Sequence, residues 1–254
     1  MLSINKIKYL RSLEQKKNRV KEKKIVLDGF RLIHEALIQN INIEYIWADS
    51  DIDNNPAYES FIDKIKQADI PFSYENSNDI RKVANTKNSQ GFIALVSIDN
   101  LYNDRLDNFD NRIVILDQIS DPGNLGTIIR TCAWFGIKSI LLNENSADVF
   151  NYKCIRSSMG GHFLLKNVAC ISNEAINEFI EKKQIVVFGA DLDGDQINQI
   201  KVPSEWAVIF GSEAHGLTDE IDYHQKITIK NYGKMESLNV SVAAGIILNK
   251  LVIQ

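Results

Sequence analysis

Three short loops follow apolar runs in the C-terminal half and carry side chains suited to polar chemistry. Residues 117–126 (DQISDPGNLG) follow the run 113–116 (IVIL). Pro122-Gly123 make a tight turn there, and Asn124 stands where it could cap a helix running from Leu125. On that helix Leu125, Ile128, Ile129 and Cys132 share one face, and Thr127, Arg130, Thr131 and Trp134 share another. Arg130 then projects from the first two turns, near backbone N–H groups that favour anions. Residues 211–217 (GSEAHGL) follow 207–210 (AVIF). Gly211 and Gly216 let the backbone approach a ligand closely, and Glu213 is held at the mouth of a sheet. His215 has no ligand set beside it and reads as a structural or solvated histidine. Residues 230–239 (KNYGKMESLN) follow 227–229 (ITI), with Ser237 at the start of a last helix and Asn239 as a secondary cap in its first turn. Taken one at a time, none of these loops specifies an activity.

Alternating strands and helices are needed to position them. The spacing of Ile4, Ile7, Leu10 and Leu13 predicts one amphipathic basic helix over residues 3–22. Strands are expected at 25–27, 43–48, 70–74 and 91–98, and helices at 30–39, 57–68 and 78–85, with Asn76 and Ser77 as caps for the last. A small α/β domain therefore fills residues 1–98, its basic helix included. Residues 99–111 (DNLYNDRLDNFDN) have the composition of a linker. From 112 to 254 strands are expected at 112–116, 138–142, 185–189, 206–210 and 226–229, and helices at 124–135, 152–159, 175–182 and 238–253. This α/β pattern implies a largely parallel sheet with helices on both faces. Ligands of such sheets bind beyond the carboxyl ends of the strands, where the three loops lie.

Composition sets further bounds. The 254 residues are 44% apolar and 24% charged, enough for a sizeable core. Lys and Arg number 29 against 33 acidic residues, a net charge of −4 that by itself argues against a nucleic-acid partner. The distribution says otherwise. The first 24 residues hold nine basic and two acidic side chains, net +7, which leaves −11 for the rest. The molecule is therefore electrically polar along its sequence. The sequence contains neither a membrane-spanning apolar run nor a signal peptide, so a cytoplasmic location is expected. Cys132, Cys154 and Cys170 are odd in number and widely spaced, which predicts reduced, buried thiols and no zinc or other metal site.

Common motifs are missing. The spacings Gly123-x2-Gly126 and Gly211-x4-Gly216 do not make the GxGxxG fingerprint, which disfavours a nicotinamide-dependent oxidoreductase. Residues 191–195 (DLDGD) open like a calcium loop, but the glycine comes too early and Val202 stands where a glutamate is needed, so a turn at a strand end is expected.

The three loops together resemble the three motifs of the SpoU/TrmH family of S-adenosylmethionine-dependent RNA ribose 2′-O-methyltransferases, within the SPOUT superfamily. DPGNLGTIIRTCAWFGI (121–137) is similar to the first motif, FGSEAHGL (210–217) to the second and ESLNVSVAAGIIL (236–248) to the third. RSSMG (156–160) also matches a family segment, although a helix end with a glycine cap would look the same. The first domain is similar to the ribosomal-protein-like substrate-binding domain of many members, through KKNR (16–19), LDGFR (27–31), HEAL (34–37) and Gln90-Gly91. In one departure, Lys230-Asn231 stand where members usually carry Pro-Met beside the adenosine site, a change that bears on cofactor affinity.

The resemblance implies a deep trefoil knot in the C-terminal domain, S-adenosylmethionine as cofactor, a homodimer, and an RNA substrate, ribosomal before transfer RNA. It carries catalytic roles onto Asn124, Arg130, Glu213, Ser237 and Asn239, cofactor contacts onto Gly211, Ile229 and Leu238, and RNA contacts onto Lys16, Lys17, Arg19 and Arg31. Family proposals make the motif-one arginine a general base, yet a guanidinium stays protonated in proteins. Stabilising a developing alkoxide or clamping a phosphate suits Arg130 better. The competing reading is an RNA-binding protein that retains the fold without the chemistry.

Overall fold

The computed structural model describes residues 2–52, 55–84, 90–99 and 101–253. The chain divides into two compact units, Met1–Leu101 with Phe150–Tyr152, and Tyr102–Val149 with Lys153–Gln254.

In the first unit the predicted basic helix is two helices, α1 (Ile4–Ser12) and α2 (Lys16–Glu22). The chain breaks between them because its own side chains cap the end of α1. Asn18 Nδ2 donates to Ser12 O at 2.8 Å, and Arg19 Nη1 donates to Leu13 O at 2.9 Å and Glu14 O at 2.6 Å. Leu2, Leu10 and Leu13 enter a core with Trp47, Ile80, Ile93 and Leu95, so the basic segment is built into the unit. Strands β1 (Lys24–Asp28), β2 (Ile43–Asp49), β3 (Phe72–Glu75) and β4 (Phe92–Ser97) form a mixed sheet in the order β1-β4-β2-β3. β4 runs antiparallel to both neighbours, and β2 and β3 are parallel. Helices α3 (Phe30–Ile38), α4 (Glu59–Gln67) and α5 (Ser77–Val83) fall near their expected positions. Asn76 alone caps α5, and Asn85, its expected end, lies outside the described residues.

The second unit is a six-stranded, wholly parallel sheet in the order β10-β8-β9-β5-β6-β7. Its strands are β5 (Arg112–Leu116), β6 (Ser139–Asn143), β7 (Asn167–Ile171), β8 (Val186–Gln196), β9 (Trp206–Phe210) and β10 (Gln225–Thr228). Its helices are α6 (Pro122–Trp134), α7 (Tyr152–Ser158), α8 (Asn173–Lys183) and α9 (Val240–Ile253). Alternate residues of each strand face opposite layers. Val114, Leu116, Ile140, Leu142, Val208 and Phe210 pack under α6 and α9, while Ile113, Ile115, Leu141, Val187, Ala207 and Ile209 pack against α8.

Four sequence expectations need correction here. Edge strand β7 lies in the run Asn-Val-Ala-Cys-Ile, too short and mixed to stand out by periodicity. The DLDGD stretch is part of β8, which resumes pairing with β10 after a register shift; a Cβ on Gly194 would lie 2.7 Å from the Lys226 backbone. Cys170 is exposed on β7, whereas Cys132 and Cys154 are buried as expected. Residues 102–111 are no free spacer, since Phe109 is buried in the second unit and Asn103 bridges to Asn167. No described helix is long and apolar enough to cross a membrane.

After α7 the chain turns through two left-handed residues, Met159 (φ 49°) and Gly160 (φ 93°), and buries His162. His162 Nε2 lies 2.7 Å from Val149 O and Nδ1 lies 2.5 Å from Ser158 Oγ, so the neutral Nε2–H tautomer fits the site. Burial pushes the imidazole down from 6.5 to about 4, outweighing the Val149 carbonyl. A group lowered in the folded state contributes stability above its unfolded value, lost as pH falls from 6.5 through about 4. Thermal melts should therefore show stability falling between pH 7 and 5, by about 2 kcal/mol from this group. His162→Gln should melt lower at pH 7 with a flatter pH dependence; an unchanged slope would show that the histidine is not its source.

Candidate active site

The sheet reverses its strand order at β5, and β9 lies directly beside it. Loops leaving the carboxyl ends of these strands therefore share one crevice. α9 comes back across the same face to pack on α6, which brings the third loop to the first two.

The meeting point is one carboxylate oxygen. Glu213 Oε1 accepts from Asn124 Nδ2 at 3.0 Å, from Asn239 Nδ2 at 2.7 Å and from the Val240 N–H at 3.4 Å. Asn239 Nδ2 also donates to Asn124 Oδ1 at 3.0 Å, which closes a three-residue ring of hydrogen bonds. The carboxylate sits at the N-terminus of α9, where the helix field favours negative charge. Asn239 is itself the cap of that helix: its Oδ1 accepts from the Ser241 N–H at 3.0 Å and from Ser241 Oγ at 2.6 Å, and its carbonyl accepts from Val242 and Ala243. The last helix thus begins at Val240, two residues later than expected, and Ser237 is not its cap.

Helix α6 likewise starts elsewhere than expected. Asp121 is the cap, accepting from the Asn124 N–H at 2.9 Å, and Pro122 opens the first turn, where its missing N–H costs nothing. Asn124 lies inside the helix, so its side chain is released from capping and reaches Glu213. Lys153 Nζ donates to Asp121 Oδ2 at 2.6 Å, and this hydrogen bond, with the Asn124 N–H, holds the Asp121 carboxyl below its ordinary pKa. The Asp-Pro-Gly run is a legible start signal for α6, whereas Lys153, a helix lysine far along the chain, carries no signal of its own. Arg130 falls in the third turn, beyond the N-terminal N–H groups. Its side chain is exposed and has no hydrogen-bond or ion-pair partner among the described residues. Its backbone is clamped, because a Cβ on Gly161 would lie 3.0 Å from Arg130 Cα, and one on Gly126 would lie 2.2 Å from Cys154 O. Arg130 and Ser237 thus take no part in the hydrogen bonds of the Glu213 cluster.

At Gly211 a Cβ would meet Gly216 O at 2.2 Å, so only glycine closes this loop. Ile229 packs partly buried on the core, and Leu238 is 47% exposed. Among the described residues, the irregular segment from Ile229 to Leu238 has only the hydrogen bonds of Asn231, which accepts from the Gly233 N–H and donates to Met235 O, both at 2.8 Å. Its remaining main-chain donors and acceptors are free to read a heteroaromatic base, and Leu238 offers an apolar surface. This donor set fits an adenosine-containing cofactor.

In the first unit Lys16, Lys17 and Arg31 are exposed. Arg31 follows Gly29 (φ 105°), and its N–H donates to Gln90 Oε1 at 3.3 Å. Arg19 does not belong with them: it is 4% exposed and spends its guanidinium on the carbonyls that end α1, which corrects its expected RNA contact.

Residues 111–249 match the model described as the SpoU rRNA Methylase family, over half of the chain. The protein belongs to that family. Residues 5–94 match the MRM3-like substrate binding domain. This SpoU family member is 28% identical, over 97% of its length and 95% of the relative's, to the 23S rRNA (guanosine(2553)-2'-O)-methyltransferase RlmP of Bacillus subtilis. It superposes on an AdoMet-bound rRNA methyltransferase from Sinorhizobium meliloti with a TM-score of 0.84 at 25% identity, covering 99% of this chain and 96% of that one. A TrmH-family structure from Porphyromonas gingivalis gives a TM-score of 0.82 at 27% identity, covering 99% and 98%.

Asn239 serves both helix and carboxylate, and substitutions can separate the two duties. Asn239→Ala should cost about 1 kcal/mol through removal of the cap alone. Asn239→Asp caps as well as asparagine but sets a second carboxylate against Glu213, so it should melt below wild type at neutral pH and recover as acid protonates the pair. Equal melting of Asn239→Asp and wild type at pH 7 would show that the bond to Glu213 contributes nothing.

Proposed function

We propose that this protein is an S-adenosylmethionine-dependent methyltransferase that modifies a ribose 2′-hydroxyl of RNA, ribosomal RNA in preference to transfer RNA, and works as a cytoplasmic homodimer with a knotted C-terminal chain path. The observation that carries the reading is the Asn124–Glu213–Asn239 cluster, in which three sequence-distant motifs converge on one carboxylate. The near full-length likeness to a 23S rRNA 2'-O-methyltransferase supports the ribosomal substrate. Exposed Trp134, Val242, Ile246 and Ile253 on α6 and α9 support a second copy as partner. The non-catalytic alternative rests on Lys230-Asn231, but Asn231 closes a local turn in the cofactor segment and so supports that segment's shape.

S-adenosylmethionine supplies an electrophilic sulfonium methyl when bound. Gly211, Ile229 and Leu238, with the free main chain of residues 229–238, would hold its adenosine. The chain's own work is to orient the ribose hydroxyl and to stabilise the charge that develops as its proton leaves. Arg130, exposed and without a hydrogen-bond or ion-pair partner among the described residues, would take a phosphate or the developing alkoxide as a cation and not as a base. Glu213, tied by Asn124 and Asn239, fixes the crevice wall, and Ser237 would offer an exposed hydroxyl from the segment before α9.

Methyl transfer from labelled S-adenosylmethionine to ribosomal RNA, with mapping of 2′-O-methyls in a deletion strain, tests the reading; a deletion strain with every 2′-O-methyl in place and no transfer in vitro would overturn it. Arg130→Ala should fold and bind the cofactor but fall roughly 10²-fold or more in methyl transfer. Turnover within a few-fold of wild type would remove Arg130 from the catalytic set. Because truncating residues 1–22 would strip Leu10 and Leu13 from a core, RNA binding is better tested at exposed lysines. A Lys16→Ala/Lys17→Ala variant should keep cofactor affinity while its RNA affinity falls and its log–log salt slope flattens by about 0.7 to 0.9 for each phosphate it no longer neutralises.

A further inference from the structure

We infer that Asp117 is a positioning residue that holds the Asn124 and Glu213 loops in register through a buried pair with Asn143; the inference rests on the methyl-transfer reading of the site. Asp117 is the first residue after β5 and is 0% exposed, and Asn143, the last residue of β6, is 1% exposed. Asp117 Oδ1 accepts from Asn143 Nδ2 at 2.7 Å, and Oδ2 accepts from the Thr218 N–H at 2.9 Å. Its own N–H donates to Phe210 O at 2.9 Å. Asn143 Oδ1 in turn accepts from the Gln118 N–H and from Ser146 Oγ, both at 2.9 Å.

A buried carboxylate without an ion-pair partner is costly, and among the described residues Asp117 has no such partner. It is stable here because each oxygen meets a donor, and what those donors belong to assigns its role. Thr218 directly follows the GSEAHGL loop, so Asp117 anchors the exit of the segment that carries Glu213. Gln118 is held in a left-handed conformation (φ 57°) at the start of the segment leading to Asp121 and Asn124. One buried pair thus ties together the loops after β5, β6 and β9. A slack of about 1 Å in such loops is enough to cost up to 10²-fold in rate.

The donor and acceptor pattern provides a direct test. In D117N an amide donor must face either Asn143 Nδ2 or the Thr218 N–H, both donors themselves. In D117N/N143D the amide and carboxylate trade places, and every donor again meets an acceptor. Turnover, cofactor affinity by calorimetry, melting temperature and hydrogen exchange at the Thr218 amide would be measured on the full-length protein. D117N should lower kcat at least about tenfold and speed exchange at Thr218, and the swapped pair should return kcat to within about threefold of wild type. Unchanged kcat and exchange in D117N, or a folded swapped pair that stays as slow as D117N, would overturn the inference. If D117N fails to fold, the swapped pair alone decides: folded and active supports the inference. Failure of both to fold would make Asp117 a fold determinant and overturn it too. Wild-type protein without methyl transfer would instead overturn the functional reading, with Thr218 exchange still deciding whether Asp117 holds the loop.

Discussion

The active-site half of the molecule depends on one acceptor. Glu213 Oε1 takes hydrogen bonds from Asn124 and Asn239, which lie 89 and 26 residues away in the chain. A carboxylate can do this because it is acceptor-only and offers several lone-pair directions, whereas each asparagine brings two donors and one acceptor. The charge is favoured where it sits, over the first turn of α9, and the same asparagine that donates to it caps that turn. Capping and site assembly thus share one set of hydrogen bonds, and the helix cannot start elsewhere without dismantling the crevice.

The wholly parallel sheet is what makes this convergence possible. With both faces covered by helices, the central strands β5 and β9 are apolar runs, and the polar side chains of the cluster come from the loops at the carboxyl ends. The reversal of strand order at β5 opens the crevice, and close packing of backbones at Gly126, Gly161 and Gly211 holds its walls. Arg130 has a closely packed backbone at Gly161 and an exposed side chain with no hydrogen-bond or ion-pair partner among the described residues. The buried Asp117–Asn143 pair supports the loops from inside the core. In the first unit the four basic residues expected to contact RNA divide into exposed Lys16, Lys17 and Arg31 and the structural Arg19.

Much of this was legible from residue order. Apolar runs of four or five residues located β5 and β9 within a residue or so, because a parallel strand buried on both faces is apolar along its length. The face of α6 carrying Leu125, Ile128, Ile129 and Cys132 was readable from helical spacing, and all four are fully buried. Asn124, Glu213 and Asn239 were each identified as residues at strand or helix ends, and the resemblance grouped them. Local chemistry misled where two candidates competed for one duty. Asn124 and Asp121 can both cap a helix, and Pro122 decides in favour of Asp121; Ser237 and Asn239 can both start α9, and the tie to Glu213 decides in favour of Asn239.

The amino-acid order by itself determined the alternation of elements, the two-unit division in outline and the residue types at the mouth of the sheet, because these follow from burial of contiguous side chains. Only the tertiary structure decided which donor meets which acceptor. Arg19 looks like a surface cation in any window of sequence, yet it is buried because carbonyls five and six residues away need it. Asp117 looks like a loop aspartate, yet it is buried because Asn143 and Thr218, distant in the chain, supply its donors. Hydrogen-bond partners are set by distances across the fold, and those distances have no expression in the spacing of residues along the chain.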